Sequence, residues 1–115
     1  MRTVFYQNVV WHVCFEIDEC KRELEIYYHN QGERLVITSA NDGQHGIGSL
    51  HNLFIGRAFD HEITEKVKEA HIRGVLKTVE EKLRRYDSKY SKFNKLFDLV
   101  PEKDRGVYHI EYDPK

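Results

Sequence analysis

The chain holds only two cysteines, two prolines, one methionine and one tryptophan in 115 residues. Cys14 and Cys20 are too few for a disulfide framework, and no CxxC or CxxH metal pattern occurs. They are read as reduced thiols of a cytoplasmic protein, one of them packed in the core. Without a proline-rich or serine-rich linker, a repeat or a low-complexity tract, residues 1–115 read as a single domain. No apolar run approaches the roughly 20 residues of a transmembrane helix, and Met1–Asn8 lacks the apolar stretch of a signal peptide. Neither sign of charge dominates. With 18 basic and 19 acidic residues, net −1, composition supports neither nucleic acid nor an anionic membrane as partner.

Against these absences stand seven histidines and an ordered sequence of elements. Residues 3–11 alternate loosely, as a first strand or an extended lead-in. Between Glu16 and Asn30, apolar side chains at Ile17, Cys20, Leu24, Tyr27 and Tyr28 keep helical spacing, with Gly32 placed to end the helix. Arg34–Ser39 is a β-branched, buried strand, and Ala40–Gly48 a glycine-rich loop. Arg57–Glu62 reads as a second core strand. Thr64 is placed as the N-cap of a long helix whose apolar stripe is Val67, Ala70, Val75, Leu76, Val79, Leu83 and Tyr86. Gly74, inside that helix, suggests close packing. Asp87–Asn94 is a polar turn region. Lys95–Val100 and Val107–Tyr112 are the last strands, separated by Pro101–Gly106. The sum is an α+β fold, two helices packed on a small, mostly antiparallel sheet.

Strand alternation sorts the polar residues. In Val107–Tyr112, Tyr108, Ile110 and Tyr112 share the core side, which turns His109 and Glu111 to the opposite face. In Arg57–Glu62, Ala58 and Asp60 share a face, and the small Ala58 leaves room beside the carboxylate. A histidine from the loop, joined to Asp60 and His109, would give three protein ligands and leave a fourth position for water. That open position distinguishes catalytic from structural zinc.

Ser49-Leu50-His51 followed by Gly56-Arg57-Ala58-Phe59-Asp60 resembles the Ser-x-His…Gly-x-Ala-x-Asp signature of the zinc D-alanyl-D-alanine peptidases. Phage endolysin peptidases and the hedgehog signalling domain share that signature. The similarity extends to Val36–Ser39, to the Asp-Gly loop with His45, and to His109-Ile-Glu-Tyr-Asp-Pro114. It covers roughly residues 13–115. The resemblance implies a hedgehog/DD-peptidase-like fold and zinc held by His51, Asp60 and His109. It further implies that His45 stabilises the oxyanion and that Glu102 is the general base for zinc-activated water. Ser49 and Arg57 would orient ligands or substrate. The implied activity is hydrolysis of peptidoglycan stem peptides or a similar short peptide by a small phage-type peptidase, in the host cytoplasm if phage-encoded.

Two spacings depart from the family. Eight residues separate His51 from Asp60, against a usual six, and Glu102 lies seven positions before His109. The extra length sits around Arg105-Gly106, and Asp104 is the reserve base. His12, His29, His61 and His71 are read as structural or exposed; His61 alternates to the face opposite Asp60, and the insertion makes it a substitute ligand. The alternative function is a catalytically silent metal-binding or ligand-binding module that keeps the fold. Such a module would offer Leu53, Phe54 and Ile55 to a protein partner. Trp11 and the tyrosines are read as core and groove lining.

Overall fold

The computed structural model describes residues 2–40 and 56–115. Its elements are β1 (Val4–Phe5), α1 (Phe15–Asn30), β2 (Val36–Ser39), β3 (Ala58–Glu62), α2 (Glu69–Tyr86), a 3-10 turn (Ser88–Lys92), β4 (Phe97–Glu102) and β5 (Val107–Tyr112). The five strands form one sheet in the order β1-β2-β3-β5-β4. Only β1 and β2 run parallel; the other neighbours are antiparallel. Among the described residues, the α+β class with two helices on a mostly antiparallel sheet is therefore as expected. Among the described residues, no helix is long and apolar enough to cross a membrane.

Helical periodicity decides what the helices bury. In α1 the buried positions are Ile17, Cys20, Leu24 and Tyr28, and in α2 they are Ile72, Val75, Leu76, Val79 and Leu83. These meet Leu35, Ile37, Phe59, Leu96, Phe97, Leu99, Tyr108 and Ile110 of the sheet side in one core. Each such large side chain, fully withdrawn from water, contributes about 1.5–3 kcal/mol of transfer free energy. The first helix stops where glycine permits it: Gly32 has φ +71° and its N–H returns to the His29 carbonyl. Cys20 is fully buried and Cys14 half-buried, both as free thiols. Burial raises both, Cys14 to about 11, so neither is a ready nucleophile.

Several boundaries and packing assignments differ from the sequence reading. The first strand is only Val4–Phe5 rather than the wider 3–11 region. The second helix begins at Glu69, with Lys68 rather than Thr64 at its N-cap. Val67 is completely buried just before it, which pins the chain in the core before the helix can start. The Lys68 N–H then donates to His71 Nδ1 at 3.1 Å, so an imidazole does the work a glutamate does in a capping box. Ala70 and Tyr86 fall off the buried stripe, and Ile72 takes a place on it. Gly74 marks no close packing, since a Cβ there would meet nothing within 4 Å. Finally, β4 runs on through Pro101 and Glu102, leaving only Lys103–Gly106 as the turn. β4 is an edge strand, where a proline without an N–H is tolerated.

Candidate functional site

Register places the chemistry. Asp60 on β3 stands opposite His109 on β5, Ala58 opposite Glu111, and Glu62 opposite Val107. On the far side of β5, Val100 faces His109 and Glu102 faces Val107. Directly paired residues project to the same side of a sheet, so Asp60, Glu62, Glu102, His109 and Glu111 share the side turned away from the helices.

Within that face, His109 Nδ1 lies 2.6 Å from Asp60 Oδ1, and its Nε2 lies 3.1 Å from Glu111 Oε1. The Asp60 hydrogen bond chiefly, with Glu111 assisting and burial opposing, raises the imidazole to about 9. At neutral pH the ring is an imidazolium donating one N–H to each carboxylate. Asp60 is 6% exposed, and its second oxygen accepts from Arg105 at 3.3 Å. The same guanidinium makes an ion pair with Glu102. Asp60 and Glu102 thus approach one another across a single arginine fork.

The residues ahead of the site explain why glycine opens it. Gly56 has φ +79°, and a Cβ there would lie 2.3 Å from Val13 Cα and 2.4 Å from the His12 carbonyl oxygen. Its own carbonyl accepts from the Cys14 N–H at 3.0 Å. Only glycine allows the chain to cross the 12–14 segment this closely and enter β3 in the register that presents Asp60.

The donor set can be tested against zinc. Tetrahedral zinc with metal–ligand distances of about 2.0–2.2 Å spaces two donors roughly 3.3 Å apart. The 2.6 Å separation of Nδ1 and Oδ1 needs an opening of about 0.7 Å to reach that spacing. Glu111 on Nε2 fixes the ring so that Nδ1 points to Asp60, the role that outer carboxylates play for metal-bound histidines. Asp60 and His109 thus stand as an ion pair, closer together than two ligands of one zinc ion would be. His51, the third expected ligand, lies outside the described residues, as do His45, Ser49 and Leu53–Ile55. Among the described residues, the group of three candidate donors with ligand atoms within 4.8 Å of one another is Asp98, Glu111 and Asp113. Asp98 is bridged by Lys95 at 3.0 Å and Lys115 at 3.1 Å, and Glu111 is engaged with His109, so charge pairing accounts for that group.

Other expected roles separate by face. Arg57 is not beside the Asp60–His109 pair; its guanidinium carbon lies 5.1 Å from the Tyr112 ring centroid. There it lines a cleft of about 560 Å³ with Cys14, Glu16, Lys89 and Phe93. His61, the alternative ligand, is fully buried on the core side. Phe59 stacks on it, and the rings of Tyr108 and Tyr28 lie 5.5 and 5.7 Å away. Neither ring nitrogen has a hydrogen-bond partner, and burial lowers this imidazole to about 3 despite the opposing charge of Asp60. His61 is a neutral core residue and cannot share an ion with Asp60 across the sheet. Trp11 is half-buried, edge-on to Phe59, with its indole N–H on Asp18.

A second cleft, of about 530 Å³, lies beside the Asp60–Arg105 contact and is lined by Tyr6, Thr38, Ser39, Glu62, Arg105 and Val107 among others. Its volume falls in the range of small-molecule and peptide-side-chain sites. Two residues around Asp60 and His109, Glu111 and Arg105, are given no role in the sequence reading. Glu111 is detectable there as the residue two after His109 on one strand; Arg105 carries no periodic signal, because a turn positions it.

Comparison with protein-family models, curated proteins and solved structures finds no match to this chain.

Proposed function

We propose that this chain is a zinc-dependent peptidase acting on a short peptide, with peptidoglycan stem peptides as the leading substrate class. The observation that carries this reading is the convergence of His109 Nδ1 and Asp60 Oδ1 at 2.6 Å, with Glu111 orienting the ring and Glu102 one guanidinium away. Bound zinc would supply Lewis acidity to a water and a scissile carbonyl. Glu102 would take the proton from that water and return it to the leaving amine. The cleft beside Arg105 would receive the peptide alongside β3, with Thr38, Ser39 and Tyr6 offering hydroxyls to its backbone. His45 would stabilise the developing oxyanion, as the resemblance implies.

The Glu102–Arg105 ion pair favours a second reading, because the guanidinium occupies the carboxylate that would serve as the base. In that reading the chain binds metal without turnover and serves recognition. Zinc-loaded wild type and Glu102→Gln, incubated with synthetic stem peptides and monitored for new amino groups, separate the two. The peptidase reading expects cleavage by wild type and a loss of about 10²–10⁴-fold in Glu102→Gln with zinc retained. Zinc binding with no cleavage by wild type would leave the silent module.

A further inference from the structure

We propose that the cleft between the start of α1, the 3-10 turn and the end of β5 binds a nucleoside monophosphate, a phosphate dianion joined to a planar ring. This cleft is separate from the Asp60–His109 pair, and the inference does not depend on a metal. Its wall is made by the turn Ser88–Lys92, with Phe93 as the C-cap. Three residues per turn bring side chains three positions apart into line. Lys89 therefore falls in line with Lys92, and Tyr90 with Phe93, so that two cations run beside two aromatic rings. All four residues line the cleft.

The wall is held firmly. The Asp87 carboxylate accepts from the Lys89 N–H at 2.9 Å, and Arg84 donates to the Phe93 carbonyl at 3.0 Å. Tyr90 is buried and donates its hydroxyl to Glu16 at 2.6 Å. Arg57 adds a third cation, its plane over Tyr112 and its backbone carbonyl accepting from the Tyr112 N–H at 2.7 Å.

Charge is what calls for a ligand. Several other lysines have acidic partners: Lys82 meets Glu19 and Glu23, and Lys95 and Lys115 share Asp98. Among the described residues, neither Lys89 nor Lys92 has one, and Lys89 Nζ instead rests 5.1 Å from the Tyr90 ring centroid. Glu16, the acid of the lining, is already engaged by the Tyr90 hydroxyl. Cations aligned without a counter-charge repel one another. A phosphate dianion removes that repulsion, and ammonium and guanidinium groups hold it by charge-assisted hydrogen bonds. Phe93 and the Arg57 plane offer stacking surfaces to a ring. The volume of about 560 Å³ lies within the roughly 300–1,000 Å³ of small-molecule sites, which admits ring and phosphate together.

The test is titration calorimetry of the full chain at low ionic strength with AMP, adenosine and inorganic phosphate. Wild type is compared with the double variant Lys89→Ala/Lys92→Ala, and with Lys77→Ala/Lys103→Ala as a control for net charge. All four lysines are exposed, and the control pair lies outside the cleft. The proposal expects AMP to bind at least about tenfold more tightly than adenosine or phosphate, and the cleft variant to lose about tenfold or more in AMP affinity. The control should stay near wild type. Adenosine bound as well as AMP, or AMP bound equally by the cleft variant, would overturn the proposal. Phosphate matching AMP would reduce the cleft to a plain anion site and overturn it too, as would no AMP binding up to about 10 mM. None of these outcomes bears on zinc, which is tested separately.

Discussion

Asp60 and His109 face one another on neighbouring antiparallel strands, with carboxylate oxygen and imidazole Nδ1 2.6 Å apart. The contact needs no long side chains, since register alone brings it about. In the metal-free protein it should dominate the ionisation of His109, which stands near 9. Asp60→Asn should bring that imidazole back toward its ordinary value of about 6.5, read by NMR titration of the ring protons. A titration still centred near 9 would assign the shift to Glu111 instead.

The two histidines of the sheet pull stability in opposite directions. His61 is lowered to about 3 in the fold, so below about pH 6.5 the unfolded chain binds the extra proton and stability falls as pH falls. The limiting slope is about 1.4 kcal/mol per pH unit. His109 is raised to about 9, so its contribution is complete below about pH 6.5 and is lost as pH rises through 9. From these two groups, metal-free stability should peak near pH 6.5 in urea titrations. His61→Leu removes two unpartnered nitrogens and should flatten the acid side while gaining about 1 kcal/mol at pH 7. An unchanged acid slope in that variant would refute the assignment.

Gly56→Ala should be among the most damaging small substitutions in the chain. Its methyl group would meet backbone at 2.3 and 2.4 Å, at a φ of +79°. Backbone cannot yield as a side chain can. A loss of about 3 kcal/mol or more is expected in chemical denaturation, together with loss of zinc affinity, because the residue sets the entry into β3. A neutral outcome would mean that the 12–14 segment can move away.

Gly74→Ala tests the opposite case. The position is exposed in mid-helix with nothing within 4 Å of an added Cβ. The substitution should stabilise by about 0.5–1 kcal/mol through helix propensity alone. Destabilisation would restore the idea of close packing at this point.

How far the sequence reached depends on what positions each residue. Strand period separated His109 and Glu111 from Tyr108, Ile110 and Tyr112, and the structure keeps that division. It likewise put Asp60 with Ala58 and His61 on the opposite face, which the structure shows to be the core side. Helical spacing found Ile17, Cys20, Leu24 and Tyr28, because burial on one face leaves a mark every three to four residues. Turn and boundary features were less legible. Thr64 looks like an N-cap locally, but burial of Val67 delays the helix to Glu69. Pro101 looks like a strand break, yet an edge strand accommodates it. Arg57 next to Ala58 looks like a partner of the site, whereas alternation carries it to Tyr112. Arg105 could not be found by pattern at all, since its position follows from hydrogen bonds of a tight turn to Ile63 and Glu102.

The central claim is that Asp60 and His109 hold a metal ion. The most direct measurement is metal content and zinc affinity of untagged protein, for wild type beside Asp60→Ala, His109→Ala and His51→Ala. The account predicts about one zinc per wild-type chain, with affinity falling by about 100-fold or more in each variant while the far-ultraviolet circular dichroism stays unchanged. A wild-type protein that holds no zinc after the ion is added back, or one that binds it equally well without Asp60 and His109, would contradict it.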